Sequence, residues 1–253
     1  MFGICNLAII PLRIEPSDRS EIVSQVLFGE HFEVLEQQKQ WSKIRLQYDN
    51  YSGWIDTKQF QVITDSDYTQ LSQDPIILNS DLIEYITTPA NLLMPIPLGS
   101  SISFLNYNDI NTENYDFEGT RISGIKPKSN LINTAFMYLN APYLWGGKTP
   151  FGIDCSGFTQ MVYKLNGYKI QRDASQQALD GLALSFIEES EPGDLAFFDN
   201  EEGNIIHVGI IMENNYIIHA SGKVRIDRLD HLGIYNPELN KHTHRLRVIK
   251  KYI

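Results

Sequence analysis

The first 65 residues alternate between apolar and polar side chains with a period of two. The alternation is plain in His31-Phe32-Glu33-Val34-Leu35-Glu36 and in Trp41-Ser42-Lys43-Ile44-Arg45-Leu46, with turn residues at Gly29-Glu30 and Asp49-Asn50. Successive side chains of a strand face opposite ways, so this pattern predicts half-buried strands. Tyr51-Ser52-Gly53-Trp54-Ile55-Asp56 and Phe60-Gln61-Val62-Ile63 add two more, and no helical period is sustained. Several short strands in so short a stretch predict a small barrel over residues 1–65.

Residues 66–128 carry a weaker pattern. Ile102-Ser103-Phe104-Leu105 and Thr120-Arg121-Ile122 read as strands, and Pro89, Pro95, Pro97 and Gly99 punctuate the approach to them. This stretch is expected to be a second barrel or a strand-rich connecting domain, ending near Gly124 and Pro127. From Ser129 the period changes. Leu131, Ile132, Ala135, Phe136 and Leu139 form a helical stripe that Ser129 or Asn130 can cap. A second stripe, Phe158, Met161, Val162 and Leu165, stops at Asn166-Gly167, a C-cap signature. After Gly193 the period drops to two in Leu195–Phe198, Ile205–Met212, Tyr216–His219, Val224–Ile226 and Leu246–Ile249. Helices followed by an antiparallel sheet predict an α+β domain over residues 129–253.

Composition is that of an ordinary globular protein, with 42% hydrophobic and 21% charged residues. The formal net charge of −10 argues against nucleic acid, anionic membranes or intact anionic wall polymers as the main partner. Two cysteines, Cys5 and Cys155, make no disulfide framework. Cys5 lies in an uncharged apolar run and reads as a small core residue. The first basic residue, Arg13, follows that run and Pro11 breaks it, which is the reverse of a secretory signal. A cytoplasmic, monomeric protein is expected.

The chemistry concentrates in Tyr143-Leu144-Trp145-Gly146-Gly147-Lys148-Thr149-Pro150-Phe151-Gly152-Ile153-Asp154-Cys155-Ser156-Gly157-Phe158. Its glycines and proline predict a loop that delivers Cys155 to a helix start. Free N–H groups and the positive dipole end there lower a thiol's pKa and can stabilise an oxyanion. A base is available in Ile205-Ile206-His207-Val208-Gly209-Ile210, where Gly209 leaves room beside His207. The next strand carries His219, close enough in a hairpin to orient the ring of His207. Nucleophile, base and orienting group make the generalised triad. Trp145 is expected in the core.

The block Asp154-Cys155-Ser156-Gly157-Phe158 resembles the nucleophile motif of NlpC/P60 peptidases. Tyr143-x-Trp145-Gly146-Gly147 precedes it, and Arg172-Asp173-x-Ser175-x-Gln177, Pro192-Gly193-Asp194-Leu195, His207-Val208-Gly209-Ile210 and His219-Ala220-Ser221 follow in the family's order. The resemblance implies a papain-like core with Cys155 as nucleophile, His207 as base, His219 as orienting residue and Tyr143 near the oxyanion. It implies no cofactor and no metal. The implied reaction cuts the bond between γ-D-glutamate and a diamino acid in peptidoglycan stem peptides. The first 65 residues resemble a bacterial SH3-like domain. Members with such domains ahead of the peptidase hold the substrate's N-terminal L-alanine. Glu21, Tyr51, Asp154 and Ser175 match that role by position, which implies free stem peptides, and murein peptide recycling, as the setting.

Other readings of the same residues stay open. Cys155, His207 and His219 could be three zinc ligands with water as the fourth, although no Cys-x-x-Cys or His-x-x-x-His clip is present. The chain could be a non-catalytic wall-binding module, or a cell-wall hydrolase or amidase acting on intact peptidoglycan. His31, His231, His242 and His244 have no evident partner in the sequence, and His242 and His244 are expected to be exposed.

Overall fold

A computed structural model describes residues 1–106 and 115–253. The chain divides into two compact units, Met1–Gly124 and Ile125–Ile253. In the first unit, β1 (Phe2–Ile4), β2 (Ile9–Arg13), β3 (Ile22–Leu27), β4 (His31–Gln38), β5 (Trp41–Leu46), β6 (Ser52–Asp56) and β7 (Gln61–Ile63) form one antiparallel sheet. Its order is β3-β2-β6-β5-β4-β1-β7. Period-two patterning becomes sidedness here: Ile44 and Leu46 of β5 are buried while Arg45 is exposed. Ile10, Leu12, Val26, Phe32, Ile44 and Ile55 fill the core, with Cys5 fully buried among them.

The sequence reading missed α1 (Asp65–Gln73), because its side chains are mostly polar and only Asp67 and Leu71 are buried. The available signal was its cap. Asp67 N donates to Thr64 Oγ1 at 3.1 Å and Thr64 N donates to Asp67 Oδ2 at 3.2 Å, a capping box. Beyond it, β8 (Ile77–Asn79) pairs with β11 (Arg121–Ser123), and β9 (Ile83–Thr87) with β10 (Leu93–Pro97). The strand expected at Ile102–Leu105 does not form; Ser103–Asn106 is a short 3-10 turn. Ile77 N donates to Ser103 Oγ at 2.8 Å, so a side chain takes the place of a strand partner. Ile102 and Phe104 instead pack with Ile4, Phe28, Ile63, Leu71, Ile86 and Ile96.

The second unit contains α2 (Asn130–Phe136), the short hairpin of β12 (Lys148–Thr149) and β13 (Gly152–Ile153), α3 (Cys155–Leu165) and α4 (Ala174–Gln177). The strands β14 (Leu182–Leu184), β15 (Leu195–Asp199), β16 (Ile205–Met212), β17 (Tyr216–Ser221), β18 (Lys223–Asp230), β19 (Gly233–Asn236) and β20 (Lys241–Lys251) follow. Their order is β14-β20-β15-β16-β17-β18-β19, and β19 also pairs with β20, which closes the sheet into a barrel. This is the expected α+β fold. Ser129 precedes α2 but gives it no side-chain cap. Every residue of α3 is buried, and the helix packs on β16 and β17. It ends as its sequence predicts, with Gly167 at φ 82°. No helix among the described residues is long and apolar enough to cross a membrane.

Phe158 is fully buried and meets Tyr138 edge-on at 5.9 Å between ring centres. Phe158→Ala should lower the opening free energy of α3 amides in hydrogen exchange by about 3–5 kcal/mol. A fall below about 1 kcal/mol would show that this ring does not anchor the helix.

Candidate active site

The site in the second unit is built from the turn into α3. Asp154 is the N-cap residue of that helix, and its carboxylate is buried. Oδ1 accepts from Gly157 N at 2.7 Å and Arg172 Nη1 at 3.0 Å; Oδ2 accepts from Gly146 N at 2.8 Å and Arg172 Nη2 at 2.7 Å. One carboxylate thereby joins the glycine loop, the helix start and the segment before α4. The loop fits the helix closely. A methyl on Gly157 would lie 2.3 Å from Gly147 O, and one on Gly147 would lie 2.3 Å from Gly152 O.

Cys155 opens α3 and is buried. Its helix-start position predicted a lowered thiol pKa, and the structure reverses that expectation. Burial pushes the thiol up to about 12 and the Asp154 carboxylate adds to the shift, against backbone hydrogen bonds from Val208 and Ser156 and the Arg172 cation. Burial is also the main cause that holds His207 well below its usual pKa, with His219 and His244 adding to it. Both shifts favour the uncharged forms of thiol and imidazole. Burial likewise raises the Tyr143 hydroxyl to about 12, and Cys155 and Asp154 contribute, which places the phenol within electrostatic reach of the thiol.

His207 on β16 and His219 on β17 are brought together, Nε2 to Nδ1 at 2.8 Å. Their strands pair Gly209 with His219, and a methyl on Gly209 would lie 2.8 Å from His219 Cβ. The missing side chain thus makes room for this contact. His219 Nε2 lies 3.0 Å from Asp227 Oδ2, so both ring nitrogens of His219 are engaged. Asp227 in turn accepts from Arg225 Nε at 2.8 Å and Nη2 at 3.0 Å. Among the described residues, no group of three or more His, Cys, Asp or Glu side chains is arranged to hold a metal ion.

His244, expected to be exposed, is half-buried and stacks on the His207 ring at 4.1 Å and 25°. Burial lowers its pKa to about 4. The polar run around it in the sequence belongs to β20, whose closure of the barrel turns this ring inward. His242 is exposed and pairs with Asp230; in the first unit His31 contacts Ser72 Oγ at 3.2 Å. Trp145 is not in the core: it is 59% exposed on the loop whose glycines pack inward. Ser175 is exposed on α4. Glu21 and Tyr51 belong to the first unit, Glu21 exposed before β3 and Tyr51 packed partly against that unit's core before β6. Asp227, Arg225 and Arg172 were not singled out in the sequence as partners of the site. The alternation Arg225-Ile226-Asp227, on the strand after His219, was the one signal for the first two.

Residues 140–245 match the model of the NlpC/P60 family, and residues 12–60 match that of the bacterial dipeptidyl-peptidase SH3 domain. The chain is 29% identical over 215 residues to the gamma-D-glutamyl-L-lysine dipeptidyl-peptidase of Bacillus subtilis (strain 168), covering 79% of this chain and 72% of that protein. It is 26% identical to dipeptidyl-peptidase 6 of Lysinibacillus sphaericus, covering 87% and 88%. A crystal structure of an NlpC/P60 family protein from Bacillus cereus ATCC 10987 shares the fold, with TM-score 0.81 at 20% identity, covering 100% of this chain and 99% of that one.

The raised thiol pKa has a measurable consequence. The iodoacetamide alkylation rate of Cys155 should keep rising with pH beyond about 9, because thiolate appears only as the raised pKa is approached. A plateau between about pH 6 and 8 would instead reveal a resting thiolate–imidazolium pair.

Proposed function

This chain carries an NlpC/P60 peptidase domain and a bacterial dipeptidyl-peptidase SH3 domain, and from that premise we propose that it is a cysteine endopeptidase of free peptidoglycan stem peptides. The bond cut is that between γ-D-glutamate and the following diamino acid, in peptides that begin with L-Ala. The observation that carries the reading is the buried His207–His219 pair, with the thiol of Cys155 reached by the backbone of Val208, the residue after His207. In this reading Cys155 attacks the γ-carbonyl carbon while His207 takes the thiol proton. The carbonyl oxygen gains charge at the N–H groups that open α3, beside Tyr143. Collapse of the tetrahedral intermediate breaks the C–N bond, so the diamino acid's amine leaves with the proton from His207 and a γ-glutamyl thioester remains on Cys155. Water, giving a proton to His207, then attacks the thioester and releases the γ-carboxylate and the thiol.

Glu21, Tyr51, Asp154 and Ser175 are the proposed ligands of the substrate's ammonium. Glu21 and Tyr51 enter on the likeness of residues 12–60 to dipeptidyl-peptidase SH3 domains. Asp154 would add the ammonium to Oδ2 beside Gly146 and Arg172. The same proposal treats residues 1–65 as the SH3-like module, 66–128 as a second such module or strand-rich connecting domain and 129–253 as the peptidase, working as a monomer in the cytoplasm. Engagement of both His219 nitrogens favours this reading over a zinc site.

Two experiments test it. Cys155→Ser should fold normally and lose more than about 10³-fold in kcat/KM, since a serine hydroxyl is the poorer nucleophile here; an active serine variant removes Cys155 from the chemistry. L-Ala-γ-D-Glu-diaminopimelate or the lysine counterpart should be cleaved, and the N-acetylated peptide at least about tenfold less well for each charge-assisted bond lost. Comparable kcat/KM for the two would mean that the amine is not read, and intact peptidoglycan would become the substrate to examine.

A further inference from the structure

We propose that Asp227, clamped by Arg225, sets the tautomers of His219 and His207 and so leaves Nδ1 of His207 as the atom that takes the Cys155 proton. The inference rests on the assignment of Cys155 and His207 made above, and it adds two positioning residues behind them.

Sheet register places the parts. His219 of β17 stands opposite Arg225 of β18, and Ile217 stands opposite Asp227, so Asp227 is the diagonal neighbour of His219 on the same face. Asp227 is 2% exposed. Burial alone would raise its pKa, but hydrogen bonds from His219 and Arg225 outweigh burial and hold it below the usual carboxylate range. Arg225 meets the carboxylate through Nε on Oδ2 and Nη2 on Oδ1, a two-point fit that keeps it ionised, and its Nη1 reaches Glu238 at 3.1 Å.

Protons along the line then follow from hydrogen-bond bookkeeping. An ionised carboxylate only accepts, so His219 Nε2 at 3.0 Å must carry a hydrogen. Burial disfavours the imidazolium at His219 and keeps its pKa lowered despite Asp227. The ring is therefore neutral and Nδ1 is bare. The 2.8 Å contact between the rings needs one hydrogen, which must sit on His207 Nε2. His207 Nδ1 is left with a free lone pair. When the thiol gives its proton to Nδ1 as sulfur bonds to the carbonyl carbon, the new charge on His207 is shared through Nε2–H to His219 and so to Asp227. The other groups at these rings are neutral or opposed: His244 stacks on His207 from β20, and Asp154 with Arg172 lies at the helix start beside Cys155.

Asp227→Ala tests the assignment, because it removes the oxygen that holds the hydrogen on His219 Nε2. Neither ring is then held in the Nε2–H form, and Nδ1–H becomes accessible to both. The expected result is a fall in kcat of at least about tenfold with KM within about threefold, smaller than the ~10⁴-fold loss in serine triads because Asp227 stands one residue further from the base. Nitrogen-15 long-range spectra of the full chain at neutral pH should show Nε2–H on both His207 and His219 in the wild type and Nδ1–H appearing on them in the variant. A kcat within about threefold of wild type, or wild-type His207 carrying its hydrogen on Nδ1, overturns the proposal. If the variant fails to fold, the wild-type spectrum decides alone. If the wild type cleaves no stem peptide, the peptidase reading falls, and the spectrum still decides the tautomers.

Discussion

The buried carboxylate of Asp154 is the constraint on which the site depends. Four N–H donors from three separate segments converge on it, and one of its partners, Arg172, is itself almost wholly buried. Removing one member of such a pair leaves an uncompensated charge in the interior, at about 3–5 kcal/mol. The glycine loop, the first turn of α3 and the run into α4 are thereby fixed to one point, and Cys155 is the next residue along. Glycine at 147 and 157 is a steric requirement of the same junction, since a methyl at either would strike backbone.

Desolvation is the second theme, and it works on the Cys155 thiol and the His207 imidazole in opposite senses. It raises the thiol and lowers the imidazole, which favours the neutral form of each. The ion pairs of the site are Asp154 with Arg172 and Asp227 with Arg225, not thiol with imidazole. In the proposed reaction charge separates only during attack, where fixed dipoles at the helix start and the line of histidines ending at Asp227 can meet it without reorganisation. The same packing that shifts the pKa values buries His207, His219 and Asp227. His244, stacked on His207, is part of that packing.

Much of this was legible in the residues. The alternation in β4 and β5, the stop at Asn166-Gly167 and the apolar face of α3 each follow from periodicity and cap chemistry that act over a few residues. So did the meeting of the two strand histidines, His207 and His219. Other features were not. The helix α1 lacks an apolar stripe and shows itself only by Thr64 and Asp67. Ile102 and Phe104 are spaced like a strand yet serve a non-extended turn. Trp145 is a large aromatic that a composition argument sends to the core, whereas the inward positions beside it are taken by backbone at Gly146 and Gly147.

What the sequence by itself determined is the local part: the period of each element, the turn glycines, and the side chains able to do nucleophile and base chemistry. Whether a thiol is lowered by a helix end or raised by burial depends on how much protein covers it, and that was decided only by the tertiary structure. The same holds for His244, whose polar neighbours suggest solvent until β20 closes the barrel onto β19. It holds as well for Asp227, which joins the site through the register of β17 and β18. Contacts between residues distant in the chain carry no local signal, because they depend on how strands are aligned rather than on what each strand contains.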